Sequence, residues 1–385
     1  MRHPTISQHL RRGLAERRSR SLELAALAVL TCASFAVAAT PRVHAIVGAR
    51  IVTAPGQVIP RGTVVIRDGV ITAVGATVAI PADARVWKGD SLTVYAGLID
   101  AFVTPTEAPA APGAPPRPGA PAPGASPRGA ASELASVHPE TRLVEALPLS
   151  ADQLSALRAA GFAAAQIVPA RGIVRGQSAV VALKDGPANA TLIKRDAAQV
   201  FSIEANAFAY PASLMGGIAV IRQSFEDAHW YRGVWATYAK SPAGKEPPAA
   251  NVSFEALQGV INGSQTLVFV APDMLGVLQA GAIAREAGLG AQVVTAGDDY
   301  KRVREIAGTG MPLIVPVNFP EAPDVADADA ALEVSTEELR GWNDAPGNAA
   351  ALAKNGITFA LTSAGMKEVK SFRANVAKAI ARGLT

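Results

Sequence analysis

Three histidines, two pairs of neighbouring carboxylates and one serine in a glycine-rich turn are the side chains in the body of this chain that could do chemistry. His44, His138 and His229 are far apart, with no H-x-H or H-x-x-x-H spacing. No two of them therefore have the arrangement with which imidazoles on one strand or helix hold zinc and turn its bound water into hydroxide. Glu226/Asp227 and Asp298/Asp299 could share general acid–base work. Adjacent residues on a helix point apart, however, and acidic residues at a helix start favour capping. Asp298 and Asp299 follow the apolar run 291–295, so they sit just past a strand end and are the catalytic candidates that remain. Gly176-Gln-Ser-Ala-Val lacks the second glycine of a G-x-S-x-G nucleophile elbow. The glycines of 171–176 are not followed by Lys-Ser/Thr, which excludes a phosphate-binding loop of that kind. His229 falls on the face of a long helix and reads as a packed or capping histidine.

The chain has 385 residues with 49% hydrophobic side chains, enough to bury a sizeable core. Its formal net charge of +4 is misleading. Six arginines between Arg2 and Arg20 stand against Glu16 and Glu23, and the rest of the chain balances. No basic patch remains to suggest nucleic acid. Arginines, an apolar run from Leu22 to Ala39 and Ala36-Val-Ala38 together read as an export signal over 1–38, cleaved after A-x-A. Apart from that segment no membrane association is expected. Cys32, the only cysteine, lies inside it. An exported chain without disulfides fits a bacterial periplasm.

The elements that must position these residues begin with short β runs over 43–92. Residues 45–53 read as a strand, 62–75 as a hairpin turning at Asp68-Gly69, and 81–90 as a turn and short strand. Residues 93–104 read as one short buried strand. Residues 104–131 are almost wholly Pro, Ala, Gly and Ser, a low-complexity insertion unable to build a core; its P-x-x-P spacings come with any such tract. A helix is expected over 151–160, with Ser150 as N-cap and Gly161 as stop. A buried strand should follow at 161–169, a long amphipathic helix at 213–240, and a Pro/Gly linker at 241–252. Strands at 266–270, 291–295, 312–317 and 357–361 alternate with helices at 274–287, 299–307, 349–354 and 367–381. Alternation of this kind means an α/β fold with a parallel sheet.

Gly97-Leu98-Ile99-Asp100-Ala101 carries a resemblance. It follows the β pattern Gly48-Ala-Arg-Ile-Val and Val64-Val-Ile-Arg-Asp-Gly-Val-Ile-Thr-Ala-Val-Gly75 at the distance seen in the amidohydrolase superfamily, and is similar to imidazolonepropionase-like cyclic amidohydrolases. That family carries Pro-Gly-Leu-Ile-Asp-x-His-x-His at the end of its first barrel strand. Here Ala96 replaces the proline, and Phe102 and Thr104 replace the histidines. The resemblance further implies histidines at Ala271 and Ala296 and an aspartate at Ala364, so this is a member deficient in metal ligands.

The family's fold is a (β/α)8 TIM-like barrel, regular or distorted, which would occupy 93–385 behind a partial N-terminal β-sandwich at 43–92. The family's activity is hydrolysis of non-peptide C–N bonds, such as those of cyclic amides, with zinc or another divalent metal. With its ligand positions changed, no cofactor is expected. The implied function is that of a pseudo-enzyme or partner subunit. An active hydrolase with an atypical or partner-completed site is the alternative, and a small-molecule-binding barrel a further one. The family's chain returns after its last barrel helix to complete the sandwich. Here the last helix is followed only by Gly383-Leu-Thr385, so the missing strands are expected from an intact amidohydrolase paralogue or another partner, or the chain is truncated.

Overall fold

The computed structural model describes residues 42–106, 130–143, 149–205 and 210–385. The export signal read at 1–38 and most of the 104–131 insertion lie outside the described residues. The chain divides into two compact units, with the boundary between Ala96 and Gly97.

In the first unit β1 (Val43–Ala54) is the central strand of a five-stranded sheet. On one side β2 (Gln57–Arg67) and then β3 (Val70–Gly75) run antiparallel to their neighbours; β4 (Arg85–Lys88) and β5 (Thr93–Val94) pair parallel with β1. Asp68 and Gly69 both take positive φ, 51° and 80°, as the two-residue turn of a β2–β3 hairpin requires. Val43, Ala45 and Val65 pack together, and Ala49, Ile51 and Val64 form a second cluster. Val64 and Val65 are successive on one strand, so the clusters lie on opposite faces of a single sheet.

The strand expected over 93–104 is in fact two. Thr93 and Val94 pair with Arg50 and Ile51 in the first unit, so the boundary falls after Ala96 and not after residue 92. The second unit starts with β6 (Leu98–Val103). Its first residues are not buried: Leu98 is 43% and Ile99 66% exposed, and burial begins at Asp100. Gly97 is needed where β6 meets its neighbour. A Cβ there would lie 2.4 Å from that of Ala163, closer than two carbons can approach.

The second unit holds two sheets. In the first, β6 pairs parallel with β7 (Phe162–Ile167), β7 antiparallel with β9 (Ala179–Ala182), and β9 with β10 (Leu192–Lys194). In the second, β8 (Val174–Gln177) runs antiparallel to β11 (Ala198–Ser202). Then β12 (Thr266–Val270), β13 (Ala291–Val294), β14 (Leu313–Pro316) and β15 (Phe359–Thr362) follow in parallel. Ser178 alone separates β8 from β9. Its hydroxyl accepts from the Gln166 side chain of β7 (3.0 Å) and from the Ala198 amide of β11 (3.0 Å), tying one sheet to the other.

Helices cover the six-stranded sheet, and side chains cap them as their sequences suggest. Ser150, Ser213, Asp273 and Ser335 each accept from a backbone amide three residues on, at 2.8–3.1 Å. The Leu214–Lys240 helix buries Val220, Ile221, Ser224, Phe225 and Ala228. Phe225 stacks on Phe201 of β11 with ring centroids 5.0 Å apart, and Phe269 of β12 meets the same ring at 5.9 Å. His229 lies at the edge of that stripe, 3.1 Å from the Arg232 guanidinium. The helix expected over 299–307 opens as a tight 3-10 turn (Asp299–Arg302) before Val303–Ala307, and the last helix is Phe372–Ala381. Among the described residues no helix is long and apolar enough to cross a membrane.

Candidate functional site

Strands β11 to β14 are buried on both faces, and their side chains alternate between two clusters. Phe201, Leu267, Phe269, Val293, Leu313 and Val315 pack with residues of the helices. Ala198, Val200, Val268, Val294 and Ile314 point the other way and meet Phe102 of β6 and Val168 just past β7; Val270 and Ala364 pack against the same group. One apolar cluster thus gathers side chains from both sheets, along the length of the parallel strands.

Two of the positions where the resemblance implies metal ligands lie in this cluster. Phe102 is 4% exposed within it, and Ala364, just past β15, packs against it. Thr104 lies beyond the end of β6. Its carbonyl accepts from the Gln153 side chain (2.9 Å), whose oxygen accepts from the Thr106 amide (3.2 Å), so the segment is held to the Ala151–Ala160 helix. Ala271 packs with the helix-side cluster; the β12 residue that reaches the inner cluster is Val270. Ala296 is exposed past the end of β13. The structure brings Phe102 and Ala364 together and leaves the other three apart.

Asp100 has a different task. It is fully buried, and its Oδ1 accepts from the Thr362 hydroxyl (2.6 Å) and the Phe102 amide (3.2 Å). Its Oδ2 accepts from the Ser363 hydroxyl (2.5 Å) and the Ser363 amide (3.1 Å). No backbone ladder joins β6 to β15 among the described residues. The two strands are held by this carboxylate and by the Thr362 hydroxyl, which also lies 3.0 Å from the Phe102 carbonyl.

The neighbouring carboxylates Asp298 and Asp299 have different surroundings. Asp299 is fully buried, and its Oδ2 accepts from Thr295 and from Asn348, both at 2.8 Å, while Oδ1 has no partner among the described residues. Asp298 lies near Asp273, which caps the Met274–Glu286 helix, and Lys301. Burial raises both carboxyls above the usual range, against the Lys301 charge at Asp298 and the Asn348 and Thr295 hydrogen bonds at Asp299. A raised carboxyl favours the native state most fully below its unfolded value, and that contribution is lost as pH rises through the native value. Asp299→Asn removes the titration. Its stability relative to the wild type is therefore expected to improve between pH 4 and pH 8, measured as denaturant midpoints. An equal difference at both pH values would show that Asp299 is not held in this way.

One group that sequence reasoning passed over lies beside the cluster. Arg175 of β8 is 8% exposed. Its Nη2 donates to Ser202 Oγ (2.9 Å) and Glu204 Oε1 (3.3 Å), and its Nε to the Gly172 carbonyl (3.3 Å). Ser202 ends β11 and alternates with Ala198 and Val200, so the guanidinium lies on the inner-cluster side. Burial lowers its pKa while Glu204 raises it, and guanidinium remains charged throughout.

The metal that the resemblance implies finds no fitting donors. Phe102, Ala271, Ala296 and Ala364 carry no ligating atom, and no three His, Cys, Asp or Glu side chains among the described residues are grouped to hold an ion. The histidines are dispersed. His44 accepts from Trp87 (3.2 Å), His138 lies 3.2 Å from Glu140 and 3.1 Å from the Ala135 carbonyl, and His229 is beside Arg232.

No family model and no curated protein matches the sequence. Solved structures do. An amidohydrolase from Thermotoga maritima MSB8 is similar with a TM-score of 0.67 at 19% identity, covering 89% of this chain and 84% of that one. A prolidase complexed with N-methylphosphonate-L-proline (TM-score 0.45, 11% identity, 88% and 84% covered) and A. niger ochratoxinase (0.38, 11%, 89% and 80%) are too different in shape to weigh. The similarity to the Thermotoga protein extends over both units and bears out the resemblance carried by Gly97-Leu-Ile-Asp100. The chain shares the fold of that Thermotoga amidohydrolase.

Proposed function

We propose that this chain is an exported, metal-free pseudo-enzyme built on this fold, working as the partner subunit of an intact paralogue or of another protein. On this reading β6, β7, the bent β8–β9 segment and β11 to β15 form the eight staves of a distorted (β/α)8 barrel, sewn shut at Asp100. The observation that carries it is the apolar cluster around Phe102 and Ala364. Hydrocarbon fills space where a hydrolase of this fold needs histidine and carboxylate donors.

Metal analysis of the purified mature protein, with turnover assays on cyclic amides in added zinc, manganese or cobalt, tests the reading. Metal far below one equivalent and no turnover are expected. Tightly bound stoichiometric zinc, or metal-dependent hydrolysis, would make this a hydrolase with an unrecognised or partner-completed site.

A further inference from the structure

Trp230 is 63% exposed on the Leu214–Lys240 helix. Val234 and Tyr238 follow at four-residue intervals, so the three lie along one side of the helix. The segment after the helix folds back beside them, and Lys245, Glu246 and Pro248 complete an open groove of about 500 Å³. Its aromatic wall is held from below. Tyr238 meets Trp235 edge-on, with ring centroids 6.0 Å apart and 86° between planes, and Trp235 meets the buried Tyr231 in a similar way at 6.1 Å. Glu246 is exposed at the rim, with no ion pair among the described residues. Aromatic rings along a shallow groove suit proline rings, and an acidic group beside them suits an arginine. Proline-rich segments dock in this way because they have little conformational freedom to lose.

The chain carries such a segment and returns it beside the groove. Residues 107–129 are rich in proline, and beyond Glu107 their only charged side chains are Arg117 and Arg128. The described chain resumes at Ala130, whose carbonyl accepts from the Val252 amide (2.9 Å), and the Ser132 amide donates to the Ser253 hydroxyl (2.9 Å). Asn251, just before this anchor, donates its amide to Tyr231 Oη (3.3 Å), so the anchor is tied to the groove's own helix. A proline-rich chain advances ~3.1 Å per residue, so the stretch from Pro118 to Ala130 can reach roughly 37 Å. That is several times the diameter of a helix, ~10–12 Å. We propose that the groove takes the chain's own residues 115–123, with proline rings on Trp230 and Tyr238 and Arg117 paired with Glu246. The insertion is then a tethered ligand that covers this face of the helix, and a proline-rich partner reaches the groove only by displacing it. This goes beyond the pseudo-enzyme reading and does not rest on it.

The test replaces residues 107–129 of the full mature chain by a Gly/Ser segment of equal length and titrates in a synthetic peptide of residues 111–124 by calorimetry. The replaced chain is expected to bind the peptide. The wild type should bind it about tenfold more weakly or not at all, because a tethered copy at millimolar effective concentration competes. In the replaced chain Trp230→Ala should lose about tenfold or more in affinity. Glu246→Gln and an Arg117→Gln peptide should each lose a few-fold, with no further loss when combined. Trp230 is largely exposed, so Trp230→Ala is expected to stay folded, which its melting temperature checks. No binding to the replaced chain, equal binding by wild type and replaced chain, or binding that Trp230→Ala leaves unchanged would each overturn the proposal. So would a wild-type dimer, read by sedimentation, that is lost on replacement, since the segment would then dock on a second copy.

Discussion

Asp100→Ala is expected to destabilise the second unit by about 3 kcal/mol or more, because it leaves several buried hydrogen-bond donors without an acceptor. The carboxylate accepts four hydrogen bonds, and three of the donors belong to Thr362 and Ser363 at the end of β15. Without it both hydroxyls and two amides, those of Ser363 and Phe102, lose this acceptor in a site closed to water. Each buried donor without a partner costs about 1–3 kcal/mol. Asp100→Asn should recover little, because its amide nitrogen would face donors where an acceptor is needed. Thr362→Val should cost less, since the Ser363 contacts survive. A double-mutant cycle between Asp100→Ala and Ser363→Ala, read as denaturant midpoints, isolates the contact. Additive effects, or an Asp100→Ala cost below about 1 kcal/mol, would mean that the strands are held together by something else.

The variant Phe102→His/Thr104→His recreates the H-x-H pattern on β6, and it is expected to bind no stoichiometric zinc. Zinc held by protein needs three or four converging donors. The other strand ends supply Ala271, Ala296 and Ala364. Thr104 also sits in a segment held to the Ala151–Ala160 helix by Gln153. Stability should fall by about 3 kcal/mol or more, because Phe102 is nearly fully buried among Val168, Val200, Val268 and Ile314, and an imidazole there loses packing and buries a polar ring. Equilibrium dialysis against zinc and thermal melting measure the two effects. One tightly bound zinc per chain would show that the β6 comparison misplaces the ligand positions.

Much of the fold was legible, and for local reasons. The Asp68-Gly69 turn, the Ser150 and Ser213 caps and the alternation of apolar strands with helices are written in neighbouring residues. The family mark at Gly97–Asp100 was legible too, but not its cause. Gly97 is fixed by the Cβ of Ala163, and Asp100 by Thr362 and Ser363, 262 and 263 positions away. Nothing in the spacing of either could show this. The face of each strand was hidden for a different reason. Strands such as Thr266–Val270 are apolar on both sides, so hydropathy gives no alternation from which to tell Val270, which reaches the inner cluster, from Ala271, which does not. Arg175 was overlooked because its local signal is the glycines around it. Its importance comes from burial and from Ser202 and Glu204, which lie on another strand and the residues after it.

The segment Val174–Ala182 has a mechanical consequence. It is a continuous rail shared by the two sheets, its first half laced to β11 and its second half to β7, with Ser178 as the joint between them. Arg175 sits near the start of that rail. A load applied to its guanidinium is carried along one continuous backbone into both sheets, so the packing around Arg175 and the alignment of the two sheets are mechanically linked.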